Sequence, residues 1–476
     1  MKKGQLGNKE KRIHQILIVI FTALLILPTV AFADEGPAAS GGTASGGNGG
    51  GGGFFSRIGD SLSNLTSGLP SIFQELSPAD VGHKPRVKPH FAFNQGFHSN
   101  VRLGGDQKDA AWQARVAPGI TVSIPSGKLY SEVDYTYGFS TTQGRKTNAN
   151  INTHNVSALA RYDLTVDTTL GVANNIQLSE VPGAGGDTFI LETGTAQVTH
   201  RIAPKLTASA WDTFQWFKDQ TETETVPFVA KDKYNNEFID NGVGISLGYD
   251  ATKDLKVGPS FTWNIRNFED NNDKDYWQIS PGVNGSYRLG PKTTVNGNFG
   301  WAFRRFDKKG STTTGRSESE LVYGAGFNHK LGRKLIWSVQ YAKTLQDTFD
   351  TSFVNRDTPE AVALDNLDRD FRVIKSHRVG GSATYHLNEK NSVSAFGDVQ
   401  FLFADDVDNT ITKRENREKA MEVGARYTYR FNRYITFDVL YAFGRRFERE
   451  NRPPQPGVGR EDYTFHKVTG GVNIAV

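Results

Sequence analysis

The 476-residue sequence has no cysteine, an absence that removes disulfides, thiolate metal sites, cysteine nucleophiles and thioether-linked haem together. Methionine is nearly missing too, at two residues. The one long apolar run, Ile16 to Leu27, falls short of the roughly 20 residues that a membrane-spanning helix needs. A field of one sign is also lacking. The formal net charge is +4, but residues 1–33 hold five of the 55 Lys and Arg and one of the 51 Asp and Glu, so the remainder is balanced. With no basic surplus left, nucleic acid is not an expected partner. What the chain has instead is 50 Gly, 31 Phe and 16 Tyr, a turn-rich, aromatic composition that favours strands over helices.

The N-terminal segment reads as a secretory signal over residues 1–33. Lys2, Lys3, Lys9, Lys11 and Arg12 precede the apolar run, and Ala31-Phe32-Ala33 supplies the small-residue cleavage pattern. Residues 34–87 are expected to form a periplasmic, glycine-rich leader: Gly36 to Gly53 has no side chain large enough to bury. Phe54, Phe55, Ile58, Leu62, Leu65 and Leu69 then recur at helical spacing before Pro70. This stretch reads as a loosely ordered leader. The alternative is a short amphipathic helix over residues 54–76 that meets an export partner in the periplasm.

From Lys88 to the end the hydrophobic pattern has period two. Val257, Pro259, Phe261, Trp263 and Ile265 alternate with Gly258, Ser260, Thr262, Asn264 and Arg266. Such segments run longer than the five or six residues usual in soluble sheets and match the roughly 9 to 11 that a tilted strand needs to cross a bilayer. Eighteen are predicted, starting near Lys88, Ala111, Lys128, Asn150, Thr168, Asp187, Lys205, Glu237, Asp254, Asp275, Lys292, Ser317, Lys334, Phe371, Ser392, Glu418, Tyr434 and Glu461. Tight corners follow the even segments and longer polar loops tend to follow the odd ones. The expected fold is therefore all-β, a transmembrane antiparallel up-and-down barrel over residues 88–476, with about 18 strands. Sixteen would result if the segments near Asp187 and Glu237, whose alternation is least clean, were not strands.

One corner recurs along the chain, as "SYRLGPKTTVNG" from Ser286, "TYHLNEKNSVSA" from Thr384 and "TYRFNRYITFDV" from Thr428. Its aromatic and the apolar residue two places on share a face. Tyr162, Tyr249, Tyr287, Tyr385 and Tyr429 are thus predicted to form an aromatic girdle where each hairpin re-enters the membrane interface, with ring bodies in acyl chains and hydroxyls among headgroups. His200 and His329 occupy equivalent slots. Together with the leading strand "PHFAFNQGF" at Pro89 to Phe97, these corners make the chain resemble the outer-membrane β-barrel putative porin family, including members found with exopolysaccharide secretion systems. The resemblance covers residues 86–476. The chain ends in "GGVNIAV" where many such barrels end in Phe or Trp. The resemblance implies an outer-membrane location with periplasmic termini, and passage of polysaccharide or other hydrophilic solutes.

By alternation, the polar face carries the candidate pore-lining residues Arg115, Glu132, Asp134, Arg266, Gln278, Asn284, Asn298 and Arg304, then Arg378, Asp398, Glu422, Arg426 and Asp438. Arg161 and Glu320 share that face. Both signs alternate with amides and hydroxyls, which suits a hydrated lumen for neutral or weakly charged solutes better than a strongly ion-selective filter. A general diffusion porin, and a non-conducting barrel or sheath around a partner protein, are the alternatives to a polysaccharide pore. The leader is too short for a globular plug. The loop Phe349 to Asp370 contains a helix-start signal at Thr358-Pro359-Glu360, and folds inward or remains external. Two acidic clusters, Asp270/Asp273/Asp275 and Asp405/Asp406/Asp408, lack the pattern of a calcium loop and read as solvated acids. The histidines are scattered without a Ser or Asp on one strand face, so no catalytic site is expected; no cofactor or metal is expected either.

Overall fold

The computed structural model describes residues 85–99, 110–144, 148–180, 188–221, 234–268, 275–306, 317–347, 372–406, 415–449 and 463–475. The expected signal segment, the leader before residue 85 and the loop 349–370 lie outside the described residues. Eighteen strands make up one sheet. They are β1 (Arg86–His98), β2 (Ala111–Ser126), β3 (Leu129–Gly144), β4 (Asn148–Thr165), β5 (Thr168–Glu180), β6 (Thr188–Ala203), β7 (Leu206–Thr221), β8 (Tyr234–Asp250) and β9 (Leu255–Phe268). The second half comprises β10 (Tyr276–Gly290), β11 (Thr293–Phe306), β12 (Ser317–Leu331), β13 (Leu335–Asp347), β14 (Arg372–His386), β15 (Asn391–Asp406), β16 (Glu415–Arg430), β17 (Ile435–Arg449) and β18 (Tyr463–Ala475). Each begins within three residues of its expected start. The segments near Asp187 and Glu237 are genuine strands, which removes the sixteen-strand alternative.

Every strand pairs antiparallel with its sequence neighbour, and β18 pairs with β1 through His90↔Ala475, Phe93↔Val472 and Phe97↔Val468. The sheet is therefore a closed barrel with no free edge. Among the described residues no helix is long and apolar enough to cross a membrane; the crossing elements are strands. Eighteen strands about 4.8 Å apart and tilted by about 40° give a backbone radius of ~18 Å.

The repeated corners fold alike because they solve the same local problem. Asn388 Oδ1 accepts hydrogen bonds from the Lys390 and Asn391 amides, both at 2.9 Å. Asn432 Oδ1 does the same for Tyr434 and Ile435, both at 2.8 Å. Each Asn side chain stands in for a backbone acceptor and satisfies amides that the reversal would orphan. At the β2–β3 and β12–β13 turns Gly127 and Gly332 take φ of 43° and 65°, a region that residues with a Cβ enter only at a cost. All eight even-to-odd connections are such short turns. The β3–β4 connection, residues 145–147, is also short and departs from the expected alternation of lengths.

Register fixes which way side chains point. Trp263 pairs with Ile279 and Val243, Ile279 with Phe303, and Phe299 with Tyr323, so these residues share one continuous face. It is the outer face. Trp263, Phe299 and Trp301 stand 46%, 59% and 42% exposed, values that make sense only against lipid. The same face carries Tyr249, Tyr287 and Tyr385, all exposed just above short turns, with half-exposed Tyr429 beside Phe431 and Phe437. Tyr162 pairs outward with Leu129 and Leu170. A second belt lies higher and is built of tyrosine and histidine: Tyr135 with His154 Nδ1 at 3.0 Å, Tyr341 with His377 at 2.9 Å, and Tyr441 with His466 at 3.0 Å.

Candidate functional site: the lumen wall

The opposite face of each strand points into the barrel, and its register gathers the polar side chains into three sectors. In the first, on β1 to β5 near the short turns, carboxylates are capped by hydroxyl, imidazole and guanidinium groups. Asp134 accepts from Thr121 at 2.6 Å and Thr136 at 3.0 Å and meets His90 Nε2 at 2.8 Å. Glu132 accepts from Tyr130 at 2.5 Å and Ser123 at 3.1 Å. Arg161 donates to Asp163 at 3.2 Å, and Arg115 stands opposite Asn94 and Ser140. Each acid is held by partners from neighbouring strands, which fixes rotamers along the wall.

The second sector, β6 to β12 near the long connections, is a packed shelf. Leu191, Phe217, Phe238 and Phe268 form a buried cluster, with Phe238 ring centroids 5.1 Å from Phe217 and 5.6 Å from Phe268. The Arg266 guanidinium lies 4.4 Å over Phe238 and binds Asp240 at 2.7 Å. Arg304 lies 4.2 Å over Tyr276 and donates to Gln278 at 3.0 Å. Cation–π contact and ion pairing act together here because the guanidinium is planar and weakly hydrated. Arg266, Gln278 and Arg304 all point inward in register, yet they are buried. They belong to the fabric of the wall. Beside them the β12–β13 ladder stops at Tyr323↔Lys343, while β13 stays paired to β14 up to Asp347↔Val373. Glu320 bridges this parting, bonded to Lys343 and lying 3.2 Å from Lys375.

The third sector, β14 to β18, is more open. Arg378 donates to Asp398 at 2.7 Å, with side chains 32% and 29% exposed, and Asp398 stands opposite exposed Glu422. Arg426 stands opposite Ser394 and Leu440. Asp438 accepts from Asn473 at 3.0 Å. Asn284 and Asn298 face one another across β10 and β11, half-buried on the same inner surface. The interior thus presents both charges, amides and hydroxyls, with the large apolar inward cluster confined to one sector.

Asp275, from one of the acidic clusters, is buried and accepts the Phe268 amide at 2.7 Å, which makes it a cap of the β9–β10 connection. Among the described residues no group of three His, Cys, Asp or Glu could hold a metal ion.

Alternation alone missed the inward turn of the aromatics on β7 and β8. Trp211 points inward because Gly244, opposite it, leaves room; a Cβ on Gly244 would lie 2.2 Å from the indole. Its neighbour Asp212 consequently points outward, as do Glu192, Lys218 and Glu237. The upper tyrosine–histidine belt was missed as well. Its signal was available, since Tyr137 and His154, or Tyr441 and His466, sit at outward positions on adjacent predicted strands.

Residues 212–361 match the family model of the outer membrane protein beta-barrel domain. No curated protein is similar enough in sequence to count as a relative. Among solved structures, the ferric enterobactin receptor PfeA is similar at 8% identity and TM-score 0.45, covering 82% of this chain and 81% of its own. OccK5 (OpdH) of Pseudomonas aeruginosa is similar at 12% identity and TM-score 0.41, covering 82% and 98%. OpdK of the same organism, solved with vanillate, is similar at 13% identity and TM-score 0.44, covering 82% and 99%. Likeness of this degree assigns no solute. The closed sheet, its apolar outer belt and the matched domain define an outer-membrane β-barrel protein.

Proposed function

We propose that the protein is a passive outer-membrane pore for hydrophilic solutes, with short turns and both chain ends in the periplasm. The observation that carries this reading is the inner face itself. At eighteen strands a barrel encloses more space than its wall side chains can fill, and among the described residues the buried aromatic cluster of the inner surface is limited to β6 to β9. Arg378, Asp398, Glu422, Arg426 and Asp438 bring both signs to the open sector, which favours solutes of little net charge that exchange hydrogen bonds with the wall. Polysaccharide is the substrate class that the family resemblance of the corners implies, and periplasmic residues 54–76 are the segment placed to meet an export partner.

Two measurements test this. Purified protein in planar bilayers should give steady, voltage-independent conductance with a reversal potential near zero in a salt gradient. Silence in bilayers would favour the sheath reading. A deletion strain should lose surface polysaccharide and keep normal small-solute uptake; the opposite pattern would make the protein a general diffusion porin.

A further inference from the structure

The outer face of β5 to β8 is unlike the rest of the barrel. Asp212 lies outward between Ala196 and Val243, in the row that continues to Trp263. Among the described residues, no other Asp, Glu, Lys or Arg occupies the outer face of a strand within six residues of a short turn. Six residues above Leu206 is a height of ~15 Å, near the middle of a ~25 Å apolar band. The Asp212 carboxylate is exposed there, with no hydrogen bond or ion pair among the described residues. Around it lie exposed Asn241, and Asn174, which donates to Glu192 at 2.9 Å while its own buried carbonyl oxygen has no partner. Higher up, Trp216 donates to Glu237 at 2.9 Å and Lys218 lies 3.2 Å from the same carboxylate, so this acid has partners within its own chain. Lower on the outer face, Asp212 has no partner among the described residues and the Asn174 carbonyl oxygen has none, with Glu192 and Asn241 on the strands beside them. Hydrocarbon cannot supply such partners, and ionisable groups at this depth normally face protein or water.

We infer that this face is covered by a second copy of the same chain, related by a twofold axis along the membrane normal that passes beside β7. The arrangement of the flanking strands favours a copy over an unrelated partner. Such an axis keeps every residue at its own height and lays β6 of one protomer against β8 of the other. Glu192 on β6 stands eight residues above His200, and Asn241 on β8 stands eight above Tyr249, the two residues that fill the lower belt slots. Acceptor and donor thus meet at matching heights, twice, once on each side of the axis. Phe214 and Trp216 supply the apolar centre on β7. The two Asp212 side chains face each other across the axis.

The absence of native cysteine makes the test direct. Phe214→Cys on the axis strand, oxidised in native outer membranes, should give a disulfide-linked species of twice the monomer mass. Val283→Cys and Val423→Cys, exposed on the outer faces of β10 and β16, should remain monomeric under the same conditions. Introducing Glu192→Leu and Asn241→Leu into the Phe214→Cys background should lower the yield at least fivefold while the heat-modifiable, folded band is retained. A folded Phe214→Cys protein that yields no linked species, links only to a different protein, or links no better than the two controls overturns the inference. So does a yield unchanged by the paired leucine substitutions.

Discussion

At the scale of single residues the wall is held by side chains whose charge is balanced locally, and Arg266 is the clearest case. Its guanidinium is buried between the Asp240 carboxylate and the Phe238 ring, so removing the acid leaves an uncompensated cation in a packed wall. Asp240→Ala should destabilise the barrel by roughly 3 kcal/mol, whereas the double change with Arg266→Met should recover much of that loss because no charge is then stranded. Urea midpoints of the folded band measure both; equal midpoints for wild type and Asp240→Ala would refute the account. On the outer side, Trp263 and Trp301 should be strongly quenched by brominated lipid chains. Unchanged emission in brominated bilayers would mean that the two faces have been assigned the wrong way round. Asp212 shows why residue-level reading has limits. As a charged residue it would be assigned to the polar inner face, and the glycine opposite Trp211, on another strand, accounts for its outward place.

At the scale of elements, strand existence and start points were legible because the evidence for them is local. Period-two alternation and turn residues both act within a few positions, as in β9 and in the Asn388 and Asn432 corners. The three-sector lumen was less legible. The parity of Arg266, Gln278 and Arg304 could be read from the sequence, but their burial depends on rings supplied by β8, β10 and the cluster around Phe238. Stacking between strands is a matter of register, and register is set by hairpins that the alternation leaves free to slide by two residues. The tight turns give a test at this scale. Gly332 sits at φ 65°, so Gly332→Val should cost about 1 to 2 kcal/mol and slow folding of the β12–β13 hairpin. Gly290→Val, where an added Cβ meets nothing within 4 Å and no positive φ occurs, should cost much less. Refolding yields from urea into detergent micelles compare the two variants, and equal losses would dismiss φ as the cause.

At the scale of the whole molecule the balance of charge is the property with a functional reading. Replacing Asp398 and Glu422 by Asn and Gln should leave Arg378 and Arg426 in excess over Asp438 in the open sector and turn the proposed pore towards anions. A shift of the reversal potential in a salt gradient measures this, and a pore whose selectivity stays put would place the limiting cross-section elsewhere in the lumen. The pairing of β1 with β18 has a consequence of another kind, for the order of events during biogenesis. His90 meets Ala475 across almost the whole barrel sequence, so the final ladder cannot form until the last strand has been synthesised and delivered. Until then the growing sheet has two unpaired margins, and hairpins added from either end pay little loop entropy while the closing step spans the longest separation in the chain. Insertion of this protein is therefore expected to be limited by the meeting of its two ends, and a chain lacking β18 should accumulate as a nearly complete but unsealed sheet, sensitive to protease.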